Sequence, residues 1–376
     1  MRLSCKQEDL HRGLSAVARA IPARTTLPIT QHILFEALED SIVLSATDAE
    51  TIAITYRIAA NVEEPGSITM PSRLLSDFIA TLPHEDIRFT LADRSRQVSL
   101  SCARNTASIG GLDPDDFPPI PPVDPAASVQ VDAARLRKAI NQTVFSAATD
   151  DSRPVLTGVH FGMGDNEIRL AAADGFRLSV HTMTLDHDID ERAVIVPARA
   201  LGELGRLLPE VDGDIIMTFN SAGTQVQFDL GHAKLVAQLI QGTFPNYEQL
   251  IPRDTVTRTE VSVSELTRET RIASIFARDG SGIVRLIGTP ADGGPGRLQI
   301  NARAEEVGDN EGEIDAIIEG EETKIAFNGR YLMDVLQVID ADRAIIETSS
   351  PSSPGVIRPV GDDTFVHVVM PMFVQW

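Results

Sequence analysis

The feature that most constrains the fold is a pattern that occurs three times along the chain. The apolar, helix-like runs of the three copies begin at Leu10, Leu136 and Leu266. Each copy closes on a bulky residue and a proline, at Phe117-Pro118, Phe244-Pro245 and Met370-Pro371. Successive copies are 126 to 131 residues apart, which is the length of a domain and far exceeds the repeat of a solenoid. The chain is therefore predicted to contain three tandem domains of one fold, at 1–123, 124–253 and 254–376.

Each copy combines two helical patterns with several strand patterns. Six segments are predicted to be helices, at about 7–20, 71–81, 132–146, 198–208, 263–276 and 330–339, and in the first helix of each copy apolar residues recur with a period near 3.6. Strict alternation, as in 52–58 and 226–230, indicates half-buried strands between them. Because strands outnumber helices and the turns are short, each copy is predicted to be an α+β domain, an antiparallel sheet with two helices on one side.

Several local signals refine this prediction. Asp132 is expected to cap one helix, and Ser262 with Glu265 forms a possible capping box for another. That second helix has the weakest stripe, because Thr270 and Ser274 occupy positions expected to be apolar. Pro114 to Pro125 is expected to be an extended linker, and Gly288 to Gly296 and the acidic run Glu305 to Asp315 are expected to be exposed loops.

The composition argues against several classes of protein. The two cysteines, Cys5 and Cys102, are too few for a disulfide framework and suit a reducing compartment, and Cys102 is expected to be buried. The N-terminus lacks the apolar core of a signal peptide. No apolar stretch approaches the roughly 18 residues of a membrane span. We therefore expect a soluble cytoplasmic protein without a membrane partner.

The net charge of −21 argues against a simple open-faced DNA binder, because an acidic chain repels phosphate at long range. The charge is unevenly distributed, however. Arg and Lys outnumber Asp and Glu in the six predicted helices, mainly through Arg135, Arg137 and Lys138. If the helices share one surface, that surface is mildly basic on an acidic body.

Motifs for catalysis are absent from the sequence. It contains no Gly-x-Ser-x-Gly elbow, no phosphate-binding Gly-x-x-x-x-Gly-Lys-Ser/Thr loop and no Cys-x-x-Cys pair. The only dense ligand-like cluster is Asp186-His187-Asp188-x-Asp190, whose short spacing does not favour convergence on a metal. A hydrolase or transferase using this cluster and a polymeric scaffold built from the repeat remain as alternatives. No cofactor, metal or catalytic residue is predicted.

Four sequence blocks lie in register on the threefold repeat. They are Arg24-Thr25-Thr26-Leu27-Pro28-Ile29, Ala173-Asp174-Gly175-Phe176-Arg177-Leu178, Phe244-Pro245-Asn246-Tyr247 and Val368-Val369-Met370-Pro371-Met372. With them the whole chain resembles the bacterial sliding clamp family, the β subunit of DNA polymerase III. The resemblance implies a non-catalytic processivity factor. It also implies that this chain is half of a closed ring, a head-to-tail homodimer around duplex DNA that is not read for sequence.

The resemblance also implies positions for three sites. Residues that face DNA are Arg12, Arg24, Arg73 and Arg199, and charge counting adds Arg135, Arg137 and Lys138. An apolar pocket for short linear motifs comprises Leu156, Asp174, Gly175, Phe176, Arg177, Leu178, Pro245, Leu250, Tyr331, Val368, Val369, Met370, Pro371 and Met372. The dimer contact comprises Ile272, Ile275 and Phe276.

The pocket's implied partners are the polymerase III catalytic subunit, the clamp loader, translesion polymerases and mismatch-repair proteins. Two features of this chain depart from the family pattern. Phe176 stands where well-known members have histidine, and Glu248-Gln249 replace basic residues. The chain also continues past Met372 with an apolar tail, Phe373 to Trp376. A more apolar and less basic rim is therefore expected, with an altered ranking of partner motifs.

Overall fold

The computed structural model describes residues 1–92, 96–120, 122–150, 152–278, 280–304, 306 and 308–376. Three residues of predicted features lie outside this set: Pro121 of the linker, and Glu305 and Val307 of the acidic run. The described residues divide into two compact units. The first contains 1–137 and 199–240, and the second contains 138–198 and 241–376.

The six predicted helices are confirmed, with shifts of a few residues at their ends. In the described residues the α-helices are α1 (Gln7–Val17), α2 (Ser72–Ala80), α3 (Ala133–Thr143), α4 (Ala198–Leu207), α5 (Val263–Arg278) and α6 (Gly329–Leu336). The predicted cap is also present, because the Asp132 carboxylate accepts a hydrogen bond from the Arg135 backbone N–H at 2.8 Å. In α5 the Ser262 hydroxyl accepts the Glu265 N–H at 3.4 Å.

The strands of the described residues follow the same order in each repeat. The first repeat contains β1 (Arg2–Lys6), β2 (His32–Ala37), β3 (Ser41–Thr47), β4 (Ile52–Ala59), β5 (Asn61–Glu64), β6 (Gly66–Pro71), β7 (Asp86–Leu91), β8 (Gln97–Cys102) and β9 (Asn105–Gly110). The second contains β10 (Pro125–Asp132), β11 (Gly158–Gly164), β12 (Glu167–Ala173), β13 (Arg177–Thr184), β14 (Arg192–Pro197), β15 (Asp214–Asn220), β16 (Gln225–Asp229) and β17 (Ala233–Gln238). The third contains β18 (Thr257–Ser262), β19 (Ile283–Thr289), β20 (Gly296–Ala304), β21 (Gly308–Glu319), β22 (Thr323–Asn328), β23 (Arg343–Thr348), β24 (Gly355–Pro359) and β25 (Phe365–Val369).

In each repeat one helix follows the first strand and the other precedes the last three strands. The threefold repeat of an α+β unit is therefore confirmed.

In the first unit the described strands form two antiparallel sheets. One has the order β5-β1-β7-β8-β9, and the other has the order β10-β15-β16-β17-β4-β3-β2-β6. The second sheet crosses from one repeat to the next, because β17 pairs with β4 in the register Leu235↔Ile54. Helix α1 packs on β4 and on α2. Its apolar stripe is buried there, with Leu10, Leu14 and Val17 fully inaccessible.

In the second unit the described strands form one sheet of twelve, β14-β11-β12-β13-β25-β24-β23-β18-β21-β20-β19-β22. This sheet also joins two repeats, through pairing of β13 with β25 in the register Leu178↔Val368. Helices α5 and α6 pack against each other, and α5 packs on β20 and β21. Its fully buried Leu266 and Ala273 lie in a core that includes Phe327 and Phe365.

One sequence prediction for the third repeat is wrong. The acidic run expected to be a loop lies largely in β21, where residues 308–316 pair with β20. The strand escaped notice because polar residues fill one face while Ile314 and Ala316 are buried on the other. The α5 position of Thr270 was expected to belong to the apolar stripe, and it is fully buried as that stripe requires. The neighbouring Ser274 hydroxyl bonds to the Thr270 carbonyl at 2.7 Å, so its own polar group is satisfied.

Candidate functional site

A tight turn between β12 and β13 exposes a large aromatic side chain. The Asp174 carboxylate accepts hydrogen bonds from the N–H groups of Phe176 at 2.9 Å and Arg177 at 3.0 Å. Gly175 has φ +94°, a left-handed conformation that favours glycine. A Cβ there would also lie 3.0 Å from the Arg153 guanidinium. The turn leaves Phe176 58% exposed, which is unusual for phenylalanine.

The C-terminal segment lies directly beside this turn. Strand β25 pairs with β13, and beyond it the Met370 N–H donates to the Phe176 carbonyl at 2.8 Å. The Met372 N–H donates to the Ala326 carbonyl at 2.7 Å, which ties the segment to β22 as well. Two distant parts of the chain therefore hold Met370 next to the exposed Phe176.

The residues around this seam form a buried floor and an exposed apolar rim. Leu178 and Val368 are buried in a cluster that also contains Tyr247, with Phe244 and Ile251 packed against it. Leu156 is also buried. The large apolar side chains left exposed are Phe176, Leu250 at 54% and Met370 at 45%. Exposed apolar side chains beside a packed floor are typical of a surface that binds another molecule.

Other predicted pocket residues have different positions. Pro245 is exposed, and Pro371 and Met372 are half-buried. Val369 is fully buried in the third-repeat core with Phe365 and Leu332, whereas Val368 packs in the cluster with Leu178. This difference follows from the alternation of side chains along a strand. Val369 therefore does not line the surface on which Phe176 is exposed.

Asp174 and Arg177, the two charged residues of the predicted pocket, are largely buried beneath its surface. The Arg177 side chain is only 6% exposed and forms ion pairs with Asp174 at 3.0 Å and Asp334 at 2.6 Å. Its guanidinium lies 4.4 Å from the centre of the Tyr331 ring, which is half-buried. Family resemblance assigned these residues to the pocket, but only the structure distinguishes the exposed rim from the supports beneath it.

The end of the apolar tail lies beside β19. Phe373 is 89% exposed, and the guanidinium carbon of Arg285, on β19, lies 6.0 Å from the centre of the Trp376 ring. Near the rim, Glu248 and Gln249 are exposed, and Glu248 accepts a hydrogen bond from Arg169 at 2.9 Å. The acidic charge introduced at the rim is thus partly neutralised.

Three of the seven predicted DNA-facing residues are paired with carboxylates. Arg12 lies 3.6 Å from Asp9 on its own helix. Lys138 Nζ lies 2.8 Å from Asp362, in the turn between β24 and β25. Arg199 Nη1 lies 2.8 Å from Asp48, in the turn between β3 and β4. These last two pairs join positions 224 and 151 residues apart, so no local sequence signal could have found them.

The remaining four predicted DNA-facing residues are all exposed: Arg24, Arg73, Arg135 and Arg137. Among the described residues, Arg24, Arg73 and Arg137 form no ion pair. A free guanidinium binds phosphate without first losing a carboxylate partner. These three residues are therefore better placed for phosphate contacts than Lys138 and Arg199.

Of the three predicted dimer residues, two are exposed and one packs within its own domain. Ile272 and Ile275 on α5 are 37% and 58% exposed, an uncommon state for isoleucine. Phe276 is half-buried and packs against the third-repeat core. The exposed pair is thus available to a partner, whereas Phe276 already contributes to the domain's own core.

The acidic cluster noted in the sequence lies at the protein surface. Asp186, His187, Asp188 and Asp190 are all exposed in the loop between β13 and β14. In the described part of the chain, no three His, Cys, Asp or Glu residues form a group that could hold a metal ion. No α-helix of those residues is both long and apolar enough to cross a membrane.

Three tandem α+β repeats, with sheets that continue from one repeat into the next and an apolar surface where two repeats meet, define the class of DNA clamps. Solved structures support this class over the full length of the chain. The sliding clamp of Bacillus subtilis matches with a TM-score of 0.91 at 27% identity, covering 100% of both chains. A Pseudomonas aeruginosa sliding clamp bound to griselimycin matches with a TM-score of 0.90 at 26% identity, again covering 100% of both.

Sequence comparisons identify the family. Residues 1–121, 130–246 and 248–373 match the N-terminal, central and C-terminal domains of the DNA polymerase III β subunit. The β sliding clamp of Staphylococcus aureus is 30% identical over 380 residues, covering 99% of each chain. The chain belongs to the DNA polymerase III β subunit family, the β sliding clamps. Its function is that of a DNA sliding clamp, a processivity factor without a catalytic site, whose partners are DNA and the polymerase.

Proposed function

We propose that two copies of this chain close head to tail into a ring around duplex DNA, with the domains divided at 1–123, 124–253 and 254–376. The ring acts in the cytoplasm and slides without reading sequence. Its pocket binds short linear motifs of the polymerase III catalytic subunit, the clamp loader, translesion polymerases and mismatch-repair proteins.

The observation that carries the ring proposal is a strand-pairing rule. The fourth strand of one repeat pairs with the last strand of the next, as β4 does with β17 and β13 does with β25. The corresponding strands still without such a partner are β21, fourth in the third repeat, and β9, last in the first. Among the described residues, β9 pairs only with β8, and the 308–315 part of β21 pairs only with β20. Free strand edges invite pairing, so β21 of one copy is matched to β9 of another.

Charge and apolar surface favour the same contact. The free part of β21 carries Asp309, Glu311 and Glu313, whereas exposed Arg104 lies in the turn that enters β9. Opposite charges on two edges guide their encounter and set their register. Exposed Ile272 and Ile275 lie on α5, which packs on β21 and β20. Two equivalent interfaces then close the ring, as head-to-tail twofold symmetry requires.

The proposed contacts between the ring and the DNA backbone are weak. The whole chain carries a net charge of −21, and Lys138 and Arg199 are already paired with carboxylates. Few free cations mean few released counterions, hence low affinity for the phosphate backbone. A closed ring is retained by topology rather than affinity, so weak, sequence-independent contacts permit sliding.

The proposed partner pocket is the surface bounded by Phe176, Leu250 and Met370. Griselimycin, present in the Pseudomonas aeruginosa clamp structure, is a peptide-like compound and therefore a suitable probe for it. Methionine adapts its shape to different partners, which suits a surface that serves several proteins. Because Phe176 and Glu248 make the rim more apolar and less basic, motifs with extra apolar residues are favoured over acidic ones.

The proposed ring is tested on circular DNA loaded with the protein by a cognate clamp loader and ATP. Retention on intact circles at raised salt, with loss after the circle is cut, is the expected result. Equal retention on circular and linear DNA would mean ordinary surface binding and would contradict the ring. If nothing is retained, native mass separates a dimer from a polymeric scaffold.

A further inference from the structure

We propose that Arg177 is a positioning residue, which holds the Phe176 turn against two helical regions without touching the bound peptide. This inference rests on the proposed pocket and specifies how its shape is maintained. The observation behind it is the placement of one buried guanidinium among groups from three separate segments of the second unit.

All three guanidinium nitrogens of Arg177 are occupied. Nε donates to Asp174 Oδ2 at 3.0 Å, Nη1 to Asp334 Oδ2 at 2.6 Å, and Nη2 to the Phe145 carbonyl at 2.6 Å. Tyr331 and Phe145 place their rings 4.4 and 5.4 Å from its central carbon. The side chain is only 6% exposed, so a peptide on the surface has little access to its two remaining N–H donors.

The partners of Arg177 belong to distinct parts of the chain. Asp174 is in the turn itself, Asp334 and Tyr331 are on α6, and Phe145 is in the turn that follows α3. Asp174 also uses its other oxygen, Oδ1, to accept the N–H groups of Phe176 and Arg177. The arginine therefore transmits the position of α6 to the backbone that projects Phe176. Charge-assisted, forked hydrogen bonds suit this role because they fix direction as well as distance.

The first repeat contains an independent counterpart. Asp48 accepts backbone N–H groups of Glu50 and Thr51 at 3.1 and 2.8 Å, as Asp174 does in its own turn. It also accepts a hydrogen bond from Arg199 on α4 of the next repeat at 2.8 Å. In both repeats the turn aspartate is thus linked through an arginine to the next repeat. This aspartate–arginine contact therefore recurs where one repeat packs against the next. In the second repeat the proposed pocket lies at the same boundary.

The decisive variant is Asp334→Asn, which weakens the link to α6 and leaves Arg177 and the surface residues unchanged. If the turn is then correctly placed in only a tenth to a fifth of molecules, the Kd for griselimycin rises about five- to tenfold. Titration calorimetry measures this change. Hydrogen exchange of the 174–178 segment is expected to become faster, because the Phe176 and Arg177 amides lose their fixed acceptor.

Three further variants make the experiment specific. Asp334→Glu keeps the charge and is expected to restore most of the affinity. Asp340→Asn alters an exposed carboxylate just beyond α6 and is expected to change neither readout. Tyr331→Leu removes the ring stacked on Arg177 and provides a second test should Asp334→Asn fold poorly.

The outcomes separate the two proposals. If the wild-type protein does not bind griselimycin, the proposed pocket itself is refuted. If wild type binds and Asp334→Asn binds equally well, or if Asp340→Asn weakens binding as much, the positioning role is refuted.

Discussion

Replacing Asp362 by asparagine is expected to strengthen binding to duplex DNA, although the substitution breaks an ion pair. In the structure Lys138 donates to the Asp362 carboxylate at 2.8 Å. A phosphate group that recruits Lys138 must first displace that carboxylate. The variant removes the competitor and also one negative charge beside the lysine.

The magnitude follows from the pKa of Asp362. Burial alone would raise this pKa, but hydrogen bonds from Lys138 and Thr364 lower it from 3.8 to about 2. A shift of nearly two units corresponds to about 2.5 kcal/mol, shared between the two donors. Because the Lys138 side chain is 38% exposed, screening by water reduces its part to about 1 kcal/mol. Freeing Lys138 is therefore expected to raise DNA affinity about fivefold.

The assay is the salt dependence of binding to a short labelled duplex. Each phosphate contact contributes about −0.9 to the slope of log K against log salt. Asp362→Asn should steepen the slope by about one contact. Arg137→Met, on the same helix but without an ion partner in the described structure, should flatten it by about one contact. Lys138→Met in the wild-type background should change it much less.

Two results would refute this reasoning. One is a Lys138→Met slope as flat as that of Arg137→Met, which would mean that Lys138 is already free for DNA. The other is an Asp362→Asn affinity no higher than that of wild type. As an independent check, the lowered pKa of Asp362 stabilises the fold above pH 3.8. That contribution is expected to fade as pH falls towards 2, and to be missing from Asp362→Asn.

Three further predictions concern the pocket, the dimer and the cysteines. Phe176→Ala should raise the Kd for griselimycin about fiftyfold, because covering roughly half of a ~200 Å² ring contributes about 2.5 kcal/mol. Calorimetry checks this, with Leu38→Ala as the control because Leu38 is also an exposed apolar residue. An equal loss of griselimycin affinity in both variants would contradict a pocket at Phe176. Ile275→Asp should convert the dimer to monomer in native mass spectrometry, whereas Ile216→Asp, at a similarly exposed site on β15, should not. A persistent dimer in the first variant would place the interface elsewhere. Burial raises the pKa of Cys5 to about 12, so both buried thiols should react with a disulfide reagent only after denaturant unfolds the protein, and rapid native labelling would contradict this.

Local patterns in the sequence predicted most elements correctly. The helix expected at 198–208 is α4, Ala198–Leu207, and the alternating run at 52–58 lies in β4. These elements were predictable because the 3.6 and 2.0 periods are properties of neighbouring residues. The acidic run in β21 was missed because its charges mask a strand whose other face carries the buried Ile314 and Ala316 and packs against α5.

The binding surfaces were predictable only in outline. Resemblance to the clamp family located the pocket region through Gly175 and Met370, but it treated Phe176 and Arg177 alike. In the structure Phe176 is exposed and Arg177 is buried beneath it. Their sequence positions are adjacent, so the difference arises from the turn and from the groups that neutralise the arginine. Nothing local in the sequence identifies Asp334 as one of those groups.

The sequence by itself determined the threefold repeat, the faces of the helices and the family, because each depends on periodicity or on motifs of a few residues. The tertiary structure decided which predicted cations are free. Lys138 and Arg199 became paired because folding brought Asp362 and Asp48 to them from 224 and 151 residues away. Among the described residues, it also left one edge of β9 and one edge of the first part of β21 without a pairing strand. Both outcomes depend on hydrogen bonds and charges between distant segments, whose partners exist only once the chain has folded.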